Sequence, residues 1–264
     1  MKFVNTIMLL LFLFCSFSLG QEAFTDVDEI VNKANVMAYY QGDDGKAKVK
    51  MLITDKRGQE REREFVILRK DVKDGGDQNY YVYFQRPADV RGTVFMVHKH
   101  AALDKDDDRW LYLPALDLVN RIAASDKRTS FVGSDFFYED VSGRSLREDV
   151  HELVETTEKY YVVKNTPKKP DLVEFSYYNV SIDRKTFMPM KMEYYDTNGK
   201  LYRIIESTKL ETIQGFPTVT KSVVSDLKTG SKTEMEFNDV EYNIKIGSIF
   251  QERYLRRPPR EARR

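Results

Sequence analysis

From Gly45 onward, apolar and polar residues alternate over short stretches that are cut by turn-forming pairs, and a period of two commits the chain to antiparallel sheet. In residues 46–53 the lysines alternate with Ala47, Val49, Met51 and Ile53, the pattern of a half-buried strand. Arg57-Gly58 reads as a turn into a strand over 62–69, and Asp74-Gly75-Gly76 as a turn into 80–84. Asn198-Gly199, between strands at 190–195 and 201–207, is a strong hairpin signal because both positions tolerate positive φ. Thr229-Gly230 plays the same part between 218–227 and 231–240. Pro87, Pro114, Pro167 and Pro170 fall at strand ends, where a missing N–H costs no ladder bond.

Several strands are apolar on both faces, among them 93–97 and 110–113. An ordinary one-sided sheet leaves one face to water, so here both need a cover. Two covers suggest themselves: residues 131–141, rich in aromatics, and an N-terminal helix. From Thr25, Val27, Ile30, Val31, Ala34 and Met37 recur at helical spacing. Thr25 with Asp28 resembles a capping box, and the cluster from Gln41 to Gly45 ends the helix.

Upstream, Lys2, an apolar run at 7–14 and the small residues Ser18 and Gly20 read as a secretory signal peptide cleaved near Gly20. The run is short for a retained anchor. Cys15 is preceded by Phe14, where a lipidation motif needs a small residue, so it is read as part of the discarded segment. The remainder has no cysteine, and an exported chain without disulfides must be held by its core. The expected organisation is a signal peptide over 1–20, one domain over 21–255 and a basic, solvated tail over 256–264.

The 42 Lys and Arg against 42 Asp and Glu argue against a nucleic-acid binder. Catalytic patterns are scarce: there is no nucleophile elbow, phosphate loop or zinc-protease motif. His98 and His100 lie two apart on a strand, but a metal would need further ligands from Asp104, Asp106, Asp107 or Asp108, and the bland reading is a polar turn. Asp135, Glu139 and Asp140 lie among aromatics, as a glycosidase pair does; the alternative is a short helix capped by Ser134 and Asp135 with its acids on the wet side. Neither a metal nor a cofactor is expected. Met188, Met190, Met192 and Tyr194 share one face of a strand, and such a stripe either lines a cavity or fills a core. With a mean hydropathy of −0.54 the exterior is polar, so an apolar binding surface has to be internal.

The central block carries a resemblance. Arg86-Pro87-Ala88-Asp89-Val90-Arg91-Gly92-Thr93 is followed by Asp108-Arg109-Trp110-Leu111-Tyr112-Leu113-Pro114-Ala115-Leu116. Then come Arg121-Ile122-Ala123, Ser125, Ser130-Phe131-Val132-Gly133-Ser134-Asp135-Phe136 and Tyr138-Glu139-Asp140-Val141. This order resembles the outer-membrane lipoprotein-sorting family, relatives of the LolA and LolB periplasmic carriers. Phe250-Gln251-Glu252-Arg253-Tyr254-Leu255 looks like that family's final strand.

The resemblance implies a mainly β (α+β) fold: a curved antiparallel half-barrel with helices over its concave face. It implies a non-enzymatic periplasmic carrier that holds a lipid or a lipoprotein acyl chain in an apolar cavity and moves it between membranes. An inner-membrane transporter of the resistance–nodulation–division (RND) type is the implied partner, with transient membrane contact. Phe95, Val97, Leu111, Leu113, Phe131, Phe136 and Phe137 are the candidate ligand-binding residues of cavity and lid. Arg109, Arg121 and Asp135 are expected in a buried structural network. The competing reading is a periplasmic protein partner of a transporter or envelope assembly that binds protein and not lipid.

Overall fold

The computed structural model describes residues 26–73, 75–102 and 105–263. The signal-peptide reading and Thr25 lie outside them, as do Asp74 and Asp104. Helix α1 (Val27–Tyr39) is capped by Asp26, whose carboxylate accepts from the N–H groups of Asp28 and Glu29. The cap is thus one residue beyond the one the sequence suggested. Ile30, Val31 and Ala34 form its buried stripe.

Thirteen strands follow: β1 (Asp44–Thr54), β2 (Glu60–Asp71), β3 (Gln78–Arg86), β4 (Val94–Lys99), β5 (Asp108–Leu113), β6 (Leu118–Arg121), β7 (Asp149–Thr156), β8 (Tyr160–Pro167), β9 (Tyr177–Asp183), β10 (Pro189–Tyr195), β11 (Leu201–Ile213), β12 (Phe216–Asp226) and β13 (Ser231–Tyr242). They make one curved, unclosed antiparallel sheet in the order β6-β5-β4-β3-β2-β1-β13-β12-β11-β10-β9-β8-β7. Two meanders are therefore stitched together at one long-range pair, β1 with β13, where Met51 lies opposite Met235. All the hairpins read from the sequence are present. Gly199 and Gly230 take φ of 73° and 77°, as their tight turns demand.

Strands β6 and β7 lie at opposite edges of the sheet, so the chain between them, residues 122–148, has to cross a face. That crossing segment holds one short α-helix, α2 (Tyr138–Ser142), and two single 3-10 turns at Ala124–Asp126 and Leu146–Glu148. Its Phe131, Phe136 and Tyr138 pack onto Val49, Phe65, Phe84, Phe95 and Val97. Phe131 is the hub, with ring centroids 6.1, 5.7, 5.5 and 5.7 Å from those of Phe65, Phe84, Phe95 and Tyr138. On the same side, α1 packs over Val163, Val180 and Ile182. The cover is one helix and a largely irregular segment, sparser in helix than expected.

The second apolar face is accounted for by the C-terminus. Ile246, Ile249, Phe250, Leu255 and Ala262 bury against Val66, Leu68, Tyr81, Val94, Met96 and Trp110. Asp44 anchors the start of this return by accepting from the N–H groups of Ile244 and Ile246. Residues 250–255, expected as a strand, instead turn into helix α3 (Arg253–Arg256). Helix α4 (Arg260–Arg263) follows and buries Ala262 completely, so this basic stretch, expected as a solvated tail, keeps its described arginines exposed but is pinned to the sheet at Ala262.

Candidate functional site: a covered apolar cavity

Between the sheet, α1 and the crossing segment lies a cavity of about 360 Å³. Alternation places its walls: Phe65 and Ile67 of β2, Val163 of β8, Val180 and Ile182 of β9, Ile205 of β11, and Met235 and Phe237 of β13. Val31, Ala34, Met37 and Ala38, one stripe of α1, form part of the roof, and Phe131, Phe136 and Val141 complete it. Met188, Met192 and Tyr194 of the methionine stripe reach the wall. Met190 does not, because a register irregularity between Pro189 and Lys191 turns the strand.

Of the seven candidate residues, Phe131 and Phe136 line the cavity. Phe95 and Val97 are fully buried behind Phe131, and Leu111 packs beside them. Leu113 is half-buried and outside the wall. Phe137 points elsewhere: its ring lies beneath the guanidinium groups of Arg128 and Arg203, at 5.1 and 4.2 Å from the centroid. The contributions of α1, β8, β9 and β11 were not anticipated as lining. Their signal was present, since each is the apolar set of an alternating or helical pattern.

A buried charge cluster fastens the crossing segment to the sheet. Glu139, expected on a wet helix face, is 2% exposed. Its carboxylate accepts from Arg128 at 2.7 Å and pairs with Lys127 at 3.0 Å and Arg144 at 3.2 Å. Burial alone raises a carboxyl, but Arg128, Lys127 and Arg144 together outweigh it and hold Glu139 down at about 2. Arg144 also forks onto Asp149 of β7 at 2.8 and 2.9 Å, and Arg128 forks onto Glu174 at 2.7 and 2.6 Å. Asp140 accepts from the Phe137 N–H and pairs with Arg203 of β11. Asp135 accepts from the hydroxyls of Ser231 and Thr233.

The expected network of Arg109, Arg121 and Asp135 is not formed. Arg109 pairs with Asp107 and the exposed Arg121 with Asp108, far along the chain from Asp135. The carboxylates that suggested glycoside chemistry are thus committed to arginine, lysine and hydroxyl partners, and the wall around them is apolar. His98 Nε2 meets the Phe250 carbonyl at 3.0 Å on the other face of the sheet, whereas His100 lies between Asp77 and Asp108 at 3.2 and 3.1 Å. They do not converge, and among the described residues no group of three or more His, Cys, Asp or Glu could hold a metal. No helix among those residues is long and apolar enough to cross a membrane.

Where the two covering elements meet, contact is close. The Tyr39 ring at the end of α1 lies against Gly143, whose φ is 78°. Lys99, buried beside them, donates to the carbonyls of Ser142 and Gly143 at 2.5 and 3.2 Å and lies 5.0 Å from the Tyr39 centroid. Burial pulls its ammonium group down to about 8.

Residues 76–257 match a family model described as an uncharacterized protein family. No curated protein matches the chain. Among solved structures, the chain is similar to a DUF1329 family protein from Desulfovibrio piger, with 30% identity, a TM-score of 0.78, and 87% of this chain and 97% of that one covered. It is similar to a protein domain from Vibrio parahaemolyticus named for outer membrane lipoprotein sorting, at 25% identity and a TM-score of 0.78 over 87% and 97% of the two chains. A LolA superfamily protein from Nitrosomonas europaea shares the fold, at 20% identity and a TM-score of 0.65 over 86% and 98%. The chain belongs to the DUF1329 family and has the curved, unclosed sheet of the LolA superfamily.

Proposed function

We propose that the chain is a periplasmic carrier that holds one acyl chain of a lipid or lipoprotein in this cavity and does no chemistry on it. The observation that carries the reading is the covered apolar cavity of about 360 Å³. Its size falls in the range of about 300–1,000 Å³ common to small-molecule sites. Taking a methylene to occupy roughly the 30 Å³ of a liquid water, the cavity accommodates on the order of a dozen, the bulk of one acyl chain. At about 0.8 kcal/mol per buried methylene, such a chain gains roughly 10 kcal/mol before the cost of association. Phe131 and Phe136 contact the chain in this reading, while Phe95, Val97 and Leu111 hold Phe131 in place.

Export fits the sequence: a leader removed near Gly20 delivers the chain to the periplasm, and an RND-type transporter is the partner that supplies or receives the cargo. The fold similarity to a domain named for lipoprotein sorting supports a transfer role. Native mass spectrometry of the chain from Gln21, purified without detergent and followed by solvent extraction, tests the reading. A stoichiometric lipid or acylated peptide is expected. An empty protein that also takes up no fluorescent acyl probe would shift the assignment to a protein partner of the transporter.

A further inference from the structure

One end of the cavity wall is polar and uncharged, and its hydrogen-bond accounting is uneven. Gln41, just past α1, donates through Nε2 to the carbonyls of Met37 at 2.6 Å and Pro217 at 2.5 Å. Both amide hydrogens are spent, and two carbonyl partners fix which end of the amide is nitrogen. Its Oε1 is buried and has no partner among the described residues. Next to Pro217, the Thr218 hydroxyl donates to the Phe216 carbonyl at 3.0 Å. The Tyr242 hydroxyl lies 3.0 Å from the same Thr218 oxygen and must be the donor there, which leaves lone pairs of its own. Gln41, Thr218 and Tyr242 all line the cavity. Ser207, further along the wall, spends its hydrogen on the Pro189 carbonyl.

This end therefore offers acceptors whose hydrogens are already committed. Arg69 is not part of the wall: it holds the carbonyls of Tyr39, Gln41 and Gly42 and pairs with Asp71. The charged groups of the wall, Glu139, Asp140 and Arg144, are paired with one another or with their neighbours. Asn35, Ser222 and the phenols of Tyr39 and Tyr194, which also line the cavity, can turn to either role, so the committed Gln41 and Tyr242 set the demand where they stand.

We propose that the cargo presents a hydrogen-bond donor, a hydroxyl or an amide N–H, to Gln41 Oε1 and Tyr242 Oη, and that a free carboxylate is selected against. A carboxylate brings acceptors only and would leave buried lone pairs facing lone pairs. The ligand class is thus a neutral amphiphile with one chain and a hydroxyl or amide near its head. The inference rests on the carrier reading and sharpens it.

Competition against a fluorescent acyl probe tests it, using hexadecanol, hexadecanamide, palmitate and hexadecane at pH 8 on the chain from Gln21. The alcohol and the amide should compete about tenfold better than palmitate, since an unmet buried acceptor costs that much or more. Tyr242→Phe, which keeps the ring 5.0 Å from Phe216, should narrow the preference without weakening hexadecane. Gln41→Met should narrow it further. Equal competition by palmitate and hexadecanol overturns the donor preference and leaves the carrier reading standing. Failure to take up the probe, or to lose it to any competitor, overturns both.

Discussion

The guanidinium carbon of Arg203 lies 4.2 Å from the ring centroid of Phe137, so a strand of the sheet grips the segment that roofs the cavity. Arg203 is 2% exposed. It bonds the Asp140 carboxylate and the Asp135 carbonyl, while its Nε and Nη1 have no hydrogen-bond partner among the described residues. The faces of Phe137 and Tyr194 stand in for those bonds, as aromatic faces attract guanidinium. Arg203→Met leaves Asp140 buried without its cation and should cost about 3–5 kcal/mol in urea unfolding. Arg203→Lys should not recover the loss, because an ammonium cannot lie flat between two rings and fork onto oxygen as well.

Glu139 gives the fastening a pH signature. Its carboxyl is held at about 2 in the folded protein against 4.5 for a free one. A depressed carboxyl contributes stability that is complete above pH 4.5 and disappears as pH falls toward 2. The stake is on the order of 3 kcal/mol. Glu139→Gln should therefore be clearly less stable than the parent at pH 7, and the gap should close between pH 4.5 and 2. Urea midpoints across that range measure it; a gap independent of pH would remove the charge from the account.

Lys99 runs in the opposite sense. Burial pulls its ammonium group to about 8 from 10.5. Between those values the unfolded chain binds the extra proton, so stability rises with pH across that window and is lower below it. The carbonyls of Ser142 and Gly143 recover part of the cost of holding the charged form inside. The parent should gain on the order of 3 kcal/mol over Lys99→Met on going from pH 7 to 10.5. Equal slopes for the two proteins in paired denaturation series would sink this assignment.

Gly143 and Gly199 separate two kinds of glycine. Both have positive φ, at 78° and 73°, but a Cβ on Gly199 meets nothing within 4 Å, whereas one on Gly143 runs into the Tyr39 ring. Gly199→Ala should cost about 1 kcal/mol, the backbone penalty alone. Gly143→Ala should cost at least about twice that and loosen the seam between α1 and the crossing segment. Faster release of a bound acyl probe from Gly143→Ala than from Gly199→Ala is the expected kinetic result.

The sheet was legible because each hairpin carries its own local signal, from the lysine alternation at 46–53 to Asn198-Gly199. The roof was legible only in part. Phe131 and Phe136 stand in an aromatic run, but the wall formed by Val163, Val180 and Ile205 becomes a surface only once the strands are in register. Glu139 read as solvent-facing because its cations, the adjacent Lys127 and Arg128 and the distant Arg144, come from two places in an irregular segment. The second cover was hidden by composition: Leu255 and Ala262 are single apolar residues among arginines and prolines, with too few turns to show a period. Pairings such as Gln41 with Pro217 join residues far apart in the chain and leave no pattern within any short window.

Cavity volume itself supplies the last prediction. Met192 is half-buried and lines the wall on β10, and an unbranched thioether gives way more readily than a β-branched neighbour. Met192→Trp should fill much of the space with an indole while leaving the charge cluster around Glu139 untouched. Uptake of a sixteen-carbon probe should fall at least about tenfold, since several methylenes lose their burial at about 0.8 kcal/mol each. Thermal stability should hold or rise, because filling a void restores contacts that its lining lacks. Met192→Ala enlarges the cavity and should admit bulkier probes at a cost of about 2 kcal/mol in stability. If the tryptophan and alanine variants bind the probe as the parent does, the chain is held elsewhere and the cavity is only a packing fault.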